Sequence, residues 1–199
     1  GAKYIDRFHG GAVLKDMDFS EQNIVNRKVQ MYREKVAIAF KAASFVEEGM
    51  TIILLGGSTV HAMCPYLKGR QLTVITSSIP VVNDLMNEKN IKLILLGGIV
   101  NASELEVRGG LTIAGLERLR ADQLFVGATN IHEAHALMTD DPEAVATYRA
   151  CMAAADRIFV LADSTKFKPG GAAIVANFNE LDDIITDDSI PKDILTGLA

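Results

Sequence analysis

Leu54-Leu55-Gly56-Gly57-Ser58-Thr59 decides how this 199-residue chain folds. Residues 51–55 are almost wholly apolar, as in a strand buried on both faces, and they run directly into two glycines and two hydroxyls. Residues 60–67 then continue as a helix. A strand that turns into a helix through bare backbone N–H groups and hydroxyl donors makes a place for an anion. The stretch is neither a Walker loop nor a GxGxxG fingerprint, so a compact phosphorylated metabolite fits it better than a nucleotide. Taken alone, a purely structural two-glycine turn is the alternative.

Working outward, the same strand-to-helix unit recurs. Six β-like runs at 51–55, 72–76, 92–96, 123–127, 157–162 and 183–186 are separated by helical segments at 60–67, 80–88, 111–119, 142–155 and 191–198. Asp141-Pro142-Glu143 is a favourable helix start, with a capping carboxylate and proline at the first helical position. The alternation predicts an α/β fold with a mainly parallel, doubly wound, Rossmann-like sheet. Ahead of it, Val29, Tyr32, Val36, Ala39, Phe40, Ala43 and Val46 recur every three or four residues. That spacing predicts one long amphipathic helix over 27–48, stopped by Gly49. Residues 1–26 read as an irregular polar arm or linker, and 27–199 as a single ligand-binding domain.

Composition narrows the function. Hydrophobic residues make up 49% and charged residues 23%, enough for a sizeable core. No apolar run approaches the roughly 20 residues that span a bilayer, and no secretory signal is visible. Cys64 and Cys151 are the only cysteines and read as reduced thiols of a cytoplasmic protein. The net charge is -5 with no Lys/Arg cluster, whereas nucleic-acid binding needs a basic face. Any DNA-reading part therefore lies outside these residues.

In open α/β sheets ligands bind beyond the carboxyl ends of the strands. Those ends are small, hydroxylic or glycine-rich here: Gly56, Gly57, Ser58 and Thr59; Thr76, Ser77 and Ser78; Gly97 and Gly98; Gly127, Ala128, Thr129 and Asn130; Asp163-Ser164-Thr165-Lys166. Such a rim suits a polyhydroxylated ligand, with Lys166 as a point charge for phosphate. Tight β–α turns need small residues anyway, which is the bland account of any one loop; five at one edge strain it. Lys35 on the first helix and Arg108 before Gly109-Gly110 are further cations for the rim, Lys35 being equally a surface lysine.

Other chemistry finds less support. His132 and His135 are three apart, lack the zinc-protease spacing and have no evident third ligand, so neither metal nor cofactor is expected. His61 reads as a helix-surface histidine and His9 lies in the arm. Ser58, Ser77 and Ser78 have no catalytic partner that spacing identifies. Asp140-Asp141 reads as a helix cap, Asp182-Asp183 as a solvated turn, and Asp187-Asp188 as the cap of the last helix or a solvated pair.

The ordered motifs resemble a known family. Arg7-Phe8-His9-Gly10-Gly11-Ala12 is similar to the Arg-x-x-Gly-Gly-Ala signature that follows the winged-helix head of DeoR-type transcriptional regulators. Arg27 through Lys35-Val36-Ala37-Ile38-Ala39 resembles that family's Arg…Lys-x-x-Ile-Ala helix, residues 54–59 its Leu-Asp-x-Gly-Thr-Thr turn, and residues 74–78 its Val-Thr-Asn-Ser segment. Leu96-Gly97-Gly98, Phe125-Val126-Gly127-Ala128, Asp163-Ser164-Thr165-Lys166-Phe167 and Ile185-Thr186-Asp187 complete the series in order. The resemblance implies a sugar-phosphate effector domain related in fold to ribose-5-phosphate isomerase. It also implies an N-terminal helix-turn-helix of about 60 residues, through which alone DNA would be bound, and a homo-oligomer, dimer or tetramer. Leu55 and Ser77 stand where the family has Asp and Asn, so the effector or its pose differs.

Three functions remain in view. The isomerase's strand-four turn carries acids around the reacting carbons, whereas this chain has Gly127-Ala128-Thr129-Asn130, with no general base. That favours a sensor over the first alternative, a sugar-phosphate isomerase. The second alternative is a ligand-free oligomerisation module.

Overall fold

The computed structural model describes residues 3–8, 11–16, 24–132 and 136–190. In chain order the elements are β1 (Lys3–Phe8), β2 (Gly11–Asp16), α1 (Ile24–Val29), α2 (Tyr32–Ala43), β3 (Thr51–Leu54), α3 (Ser58–His61), α4 (Cys64–Leu67), β4 (Leu72–Thr76), α5 (Ile79–Leu85) and β5 (Ile91–Leu95). There follow β6 (Ile99–Asn101), β7 (Glu106–Arg108), α6 (Gly110–Leu116), β8 (Ala121–Gly127), β9 (Asn130–His132), β10 (Ala136–Thr139), α7 (Ala144–Ala153), β11 (Ala155–Leu161), β12 (Ala173–Ala176) and β13 (Asp183–Ile185). Short 3-10 turns at Ser164–Lys166 and Phe178–Glu180 flank β12.

Six strands form one sheet in the order β13-β11-β8-β3-β4-β5, and every pairing is parallel. These are the six runs expected from the sequence, each shifted by no more than two residues. Counted along the chain the order is that of the doubly wound nucleotide-binding fold, with the reversal between β3 and β8.

Side chains alternate across the sheet. Ile52 and Leu54 of β3 join a core with Ile38, Val60, Leu67 and Leu85 from α2 to α5. Ile53 and Leu55 face the opposite core, with Leu116, Cys151 and Met152 from α6 and α7. Because both faces are covered, Ile52, Ile53 and Leu54 are wholly buried, each contributing about 1.5–3 kcal/mol of apolar transfer free energy. Phe125 and Phe159, in register on β8 and β11, stack with ring centroids 5.0 Å apart.

The structure corrects four sequence expectations. The helix over 27–48 is two helices, broken at Met31, whose φ of 49° is left-handed. Lys35 Nζ donates to the carbonyls of Arg27 (2.8 Å) and Gln30 (2.6 Å), so a buried cation satisfies the end of α1. The three-to-four spacing runs across the break and hides it. Residues 60–67 also split, because Pro65 restrains Cys64 and offers no N–H, so a fresh helix starts there.

Third, residues 1–26 are not wholly irregular. β1 and β2 form an antiparallel hairpin from Lys3↔Asp16 to Phe8↔Gly11, and α1 opens at Ile24, which is fully buried. His9 and Gly10 lie outside the described residues, as does the expected helix at 191–198.

Fourth, the sequence reading overlooked two small antiparallel sheets: β6–β7 and β12-β10-β9. Their strands are three or four residues long, too short for an alternating pattern to register. β7 lies along the loop after β4: Val107 N–H donates to Ser77 O and Ile79 N–H to Leu105 O, both at 2.9 Å. No helix among the described residues is long and apolar enough to cross a membrane.

Candidate functional site

At the reversal point the loops leaving β3 and β8 meet. A Cβ built on Gly57 would lie 3.8 Å from Gly127 Cα, and one on Gly127 would lie 3.6 Å from Gly56 O. Gly57 has φ 123° and ψ 145°, a conformation open only to glycine, which turns the chain from β3 into α3. A cavity of about 640 Å³ opens over this contact.

One wall is mostly backbone and small groups. Gly56, Gly57, Ser58 and Thr59 come from the β3–α3 turn, and Gly127, Ala128, Thr129 and Asn130 from the end of β8. The N–H groups of a helix's first turn have no intrahelical acceptor, so those at Ser58 and Thr59 are disposed to bind. Lys166, from the 3-10 turn after β11, and Lys168 add positive charge to this wall. The turn that carries Lys166 is pinned at its start: Asp163 Oδ1 accepts the Thr165 N–H, and Asp187 Oδ2 accepts that of Ser164 at 2.7 Å. Asp187 thus caps this loop, while the helix at 191–198 that it was expected to cap lies outside the described residues.

The facing wall is made of charged and polar side chains. The β6–β7 hairpin supplies Asn101, Ser103, Glu104 and Arg108, α1 supplies Arg27, and the region from β10 to α7 supplies Thr139, Asp140, Asp141 and Tyr148. Arg27 pairs with Glu104, while Arg108 bridges Glu106 and Asp141. Asp141 Oδ1 also accepts the Glu143 N–H at 3.0 Å in the turn ahead of α7, whose N-cap is Glu143 and not the expected Asp141. Asp140 Oδ1 is 3.4 Å from Asn130 Nδ2, which links the two walls.

Glu106 lies beneath the cradle and is 4% exposed. A Cβ on Gly56 would stand 2.1 Å from its Oε2, so any side chain at this turn would have to displace the carboxyl. Burial pushes the Glu106 carboxyl above its ordinary value, and the Arg108 guanidinium only partly offsets this. Burial would lower the Arg108 guanidinium, but Glu106 and Asp141 more than compensate and hold it above its ordinary range. Burial likewise pushes the Tyr148 phenol up, keeping it a neutral donor.

Several residues expected at the rim stand behind it. Thr76 Oγ1 donates to Leu54 O (2.6 Å) and accepts the Ser78 N–H (3.0 Å), tying β4 to β3. Ser77 and Ser78 are buried under β7. Gly97 accepts the Thr112 hydroxyl at 2.7 Å, and Gly98 packs against Arg108 backbone atoms. Lys35 is 4% exposed with Nζ 3.5 Å from Asp163 Oδ2, an internal tie between α1, α2 and the end of β11. None of these six lines the cavity.

A separate donor group, His61, Cys64 and Asp84, lies within 4.8 Å of one another on α3 to α5. His61 Nε2 is 2.9 Å from Asp84 Oδ2, so the imidazole is clasped rather than merely on the surface. Burial pushes the Cys64 thiol up to about 12, which leaves it a protonated core group. Cys64 and Cys151 are both free and buried. His135 lies outside the described residues.

The model of the DeoR C-terminal sensor domain matches residues 30–188. The chain belongs to this DeoR sensor family. It is 32% identical over 189 residues to the HTH-type transcriptional regulator GolR of Listeria innocua, covering 94% of this chain and 74% of the relative. It is 33% identical over 190 residues to the lactose phosphotransferase system repressor of Lactococcus lactis, with the same coverage. DeoR relatives are named as regulators and repressors, so this is a sensor domain of a transcription regulator and not an enzyme.

Solved structures confirm the fold. A Pyrococcus horikoshii translation initiation factor eIF-2B superposes with a TM-score of 0.54 at 19% identity, covering 83% of this chain and 67% of that one. A D-ribose-5-phosphate isomerase in complex with phospho-erythronic acid gives 0.50 at 17% identity, covering 69% of this chain and about half, 54%, of the isomerase.

The residues that sequence reasoning missed are mostly on the charged wall: Arg27, Asn101, Ser103, Glu104, Thr139, Asp140, Asp141, Tyr148 and Lys168. Gly97-Gly98 and Gly109-Gly110 bracket the hairpin and were the available signal for it. Nothing in the local sequence marks Tyr148.

Proposed function

We propose that this DeoR sensor domain binds a phosphorylated sugar, with the phosphate on the turn of residues 56–59 beside Lys166 and Lys168 and the sugar hydroxyls against Thr129, Asn130, Asp140 and Tyr148. One observation carries the reading: the cavity sits at the reversal point, with a glycine-and-hydroxyl cradle backed by lysines on one wall and carboxylates on the other. Carboxylates accept hydrogen bonds from vicinal hydroxyls, whereas oxyanions take N–H, hydroxyl and ammonium donors. The name of the Lactococcus relative, which joins a sugar to a phosphotransferase system, points the same way.

In the full cytoplasmic regulator a preceding DNA-binding head, paired in a homo-oligomer, answers to occupancy of this cavity. The effector shifts DNA affinity only by its difference in affinity for the two arrangements of the heads. Thermal melting against a panel of sugars, each with and without its phosphate, tests the reading. A ligand at about a hundred times its dissociation constant stabilises by roughly 2.7 kcal/mol, a shift of several degrees in a domain of this size. The expected result is a rise with one phosphorylated sugar, none with its free form, and about half that rise in Ser58→Ala. A flat panel sinks the reading.

A further inference from the structure

We propose that His61, Cys64 and Asp84 form a binding site for a zinc ion, with water in the fourth position. None of the three lines the cavity, so the site does not depend on what fills it. An imidazole, a thiol and a carboxylate, all donor types that zinc takes, arrive from α3, α4 and α5, and their ligand atoms lie within 4.8 Å of one another. His61 Nε2 and Asp84 Oδ2 stand 2.9 Å apart. On a tetrahedral zinc ion, bonds of about 2.0–2.3 Å place any two ligand atoms about 3.3–3.7 Å apart. The imidazole and the carboxylate therefore part slightly and the sulfur closes in, adjustments that side-chain torsions can make.

The surroundings suit an ion. Cys64 is wholly buried, whereas the His61 and Asp84 side chains are 17% and 40% exposed. The group thus runs from the core to the surface, which leaves an entry path and room for water on the Asp84 side. Pro80, whose backbone offers only a carbonyl, also accepts from the imidazole, the kind of second partner that orients a metal-bound histidine. Without a metal the thiol keeps its proton; as the sulfur–zinc bond forms, that proton passes to solvent and a sulfur electron pair makes the bond. Thiolate and carboxylate then balance the two charges of the ion. Lys28 and Lys68, whose charges the group feels, meet a neutral centre rather than an added cation. The bound ion pins α3 and α4 to α5, and α3 is the helix that opens with Ser58 and Thr59.

The test is titration of the chelator-stripped chain with zinc by calorimetry and with cobalt(II) by absorption. Cobalt(II) takes the same tetrahedral donors, and a thiolate bound to it shows as a charge-transfer band in the near ultraviolet. The expected result is one ion per chain, the sulfur band, and a melting temperature raised by zinc. Cys64→Ser should remove the band and Cys151→Ala should keep it, which separates the two free thiols. His61→Gln and Asp84→Asn should each weaken zinc at least roughly 10- to 100-fold, since losing even a partner that only orients a ligand costs that much. Both lie at the exposed end of the group, so they decide the matter should Cys64→Ser fail to fold. Cobalt(II) bound without the sulfur band, or zinc affinity unmoved by His61→Gln and Asp84→Asn, overturns the site. A wild-type chain that binds neither ion overturns it as well.

Discussion

The two walls of the cavity are built from different materials. The wall from β3 and β8 is backbone, glycine and hydroxyl, fixed by the contact of Gly56 and Gly57 with Gly127. Nothing in that turn has to surrender a partner to receive an oxyanion. On the facing wall, Arg27 holds Glu104, and Arg108 holds Glu106 and Asp141. Its charged groups reach a ligand only by exchanging partners. A preformed cradle sets where a ligand sits at little reorganisation cost, while a wall of mutual ion pairs turns occupancy into rearrangement.

The comparison breaks most visibly at Arg108. Arg108→Ala leaves the Glu106 carboxyl buried without its cation, a change that costs about 3–5 kcal/mol when a buried pair loses one member. Urea denaturation at neutral pH should show that loss, and an unchanged midpoint would mean the charged wall contributes no internal cohesion. Gly56→Ala comes next. Its Cβ collides with Glu106 Oε2, and the clash cannot relax without disturbing the Arg108 pair. A loss of about 1–3 kcal/mol follows from overpacking against this carboxyl, read as a drop in melting temperature. Partial recovery in the double variant with Glu106→Ser locates the clash; equal melting of Gly56→Ala and wild type would show that the walls do not touch there.

Smaller effects separate cradle from switch. Lys166→Ala should weaken a sugar phosphate roughly 10-fold or more through loss of an ion pair, and Ser58→Ala by about 10-fold through loss of one hydroxyl donor, both by titration. If these variants bind as wild type while Arg108 variants do not, the anion sits on the charged wall and the assignment of the walls is reversed.

The same division explains what the sequence disclosed. Parallel strands buried on both faces are continuous apolar runs, so all six strands of the sheet and the turn at 56–59 were legible from residues such as Ile52, Ile53 and Leu54. The charged wall was not. Glu106 and Arg108 stand two apart on a three-residue strand whose partner is equally short, and their burial follows from β7 crossing the loop after β4. Arg27 is brought in by a break at Met31 that the helical spacing conceals. Lys35 shows the opposite failure: a cation in a helical pattern reads as a surface or rim group, yet it closes the end of α1 inside the protein. Periodicity reports which face of one element is buried. It does not report which charged groups two distant elements bring together.

Glu106→Gln sharpens the comparison with the smallest effect, and pH exposes it. Burial holds the Glu106 carboxyl above its ordinary value of 4.5, so the folded chain takes its proton more readily than the unfolded chain does. The contribution of this group to stability is therefore fully present below about pH 4.5 and is lost as pH rises through its folded value, with a slope of at most about 1.4 kcal/mol per pH unit. Asp187 works in the opposite sense. Burial alone would raise its carboxyl, but the Ser164 and Ser189 N–H groups it accepts hold it below its ordinary value, so its contribution is lost as pH falls. The wild-type profile sums such terms, and only the difference between wild type and Glu106→Gln isolates the buried carboxyl. That difference should move in favour of the glutamine as pH rises above about 4.5 and then level off once the folded carboxyl has ionised, because an amide of the same shape never has to ionise beneath the cradle. A difference that stays constant across this range would mean that Arg108 offsets the burial in full, and the charged wall would then be as inert to protons as the glycine wall that faces it.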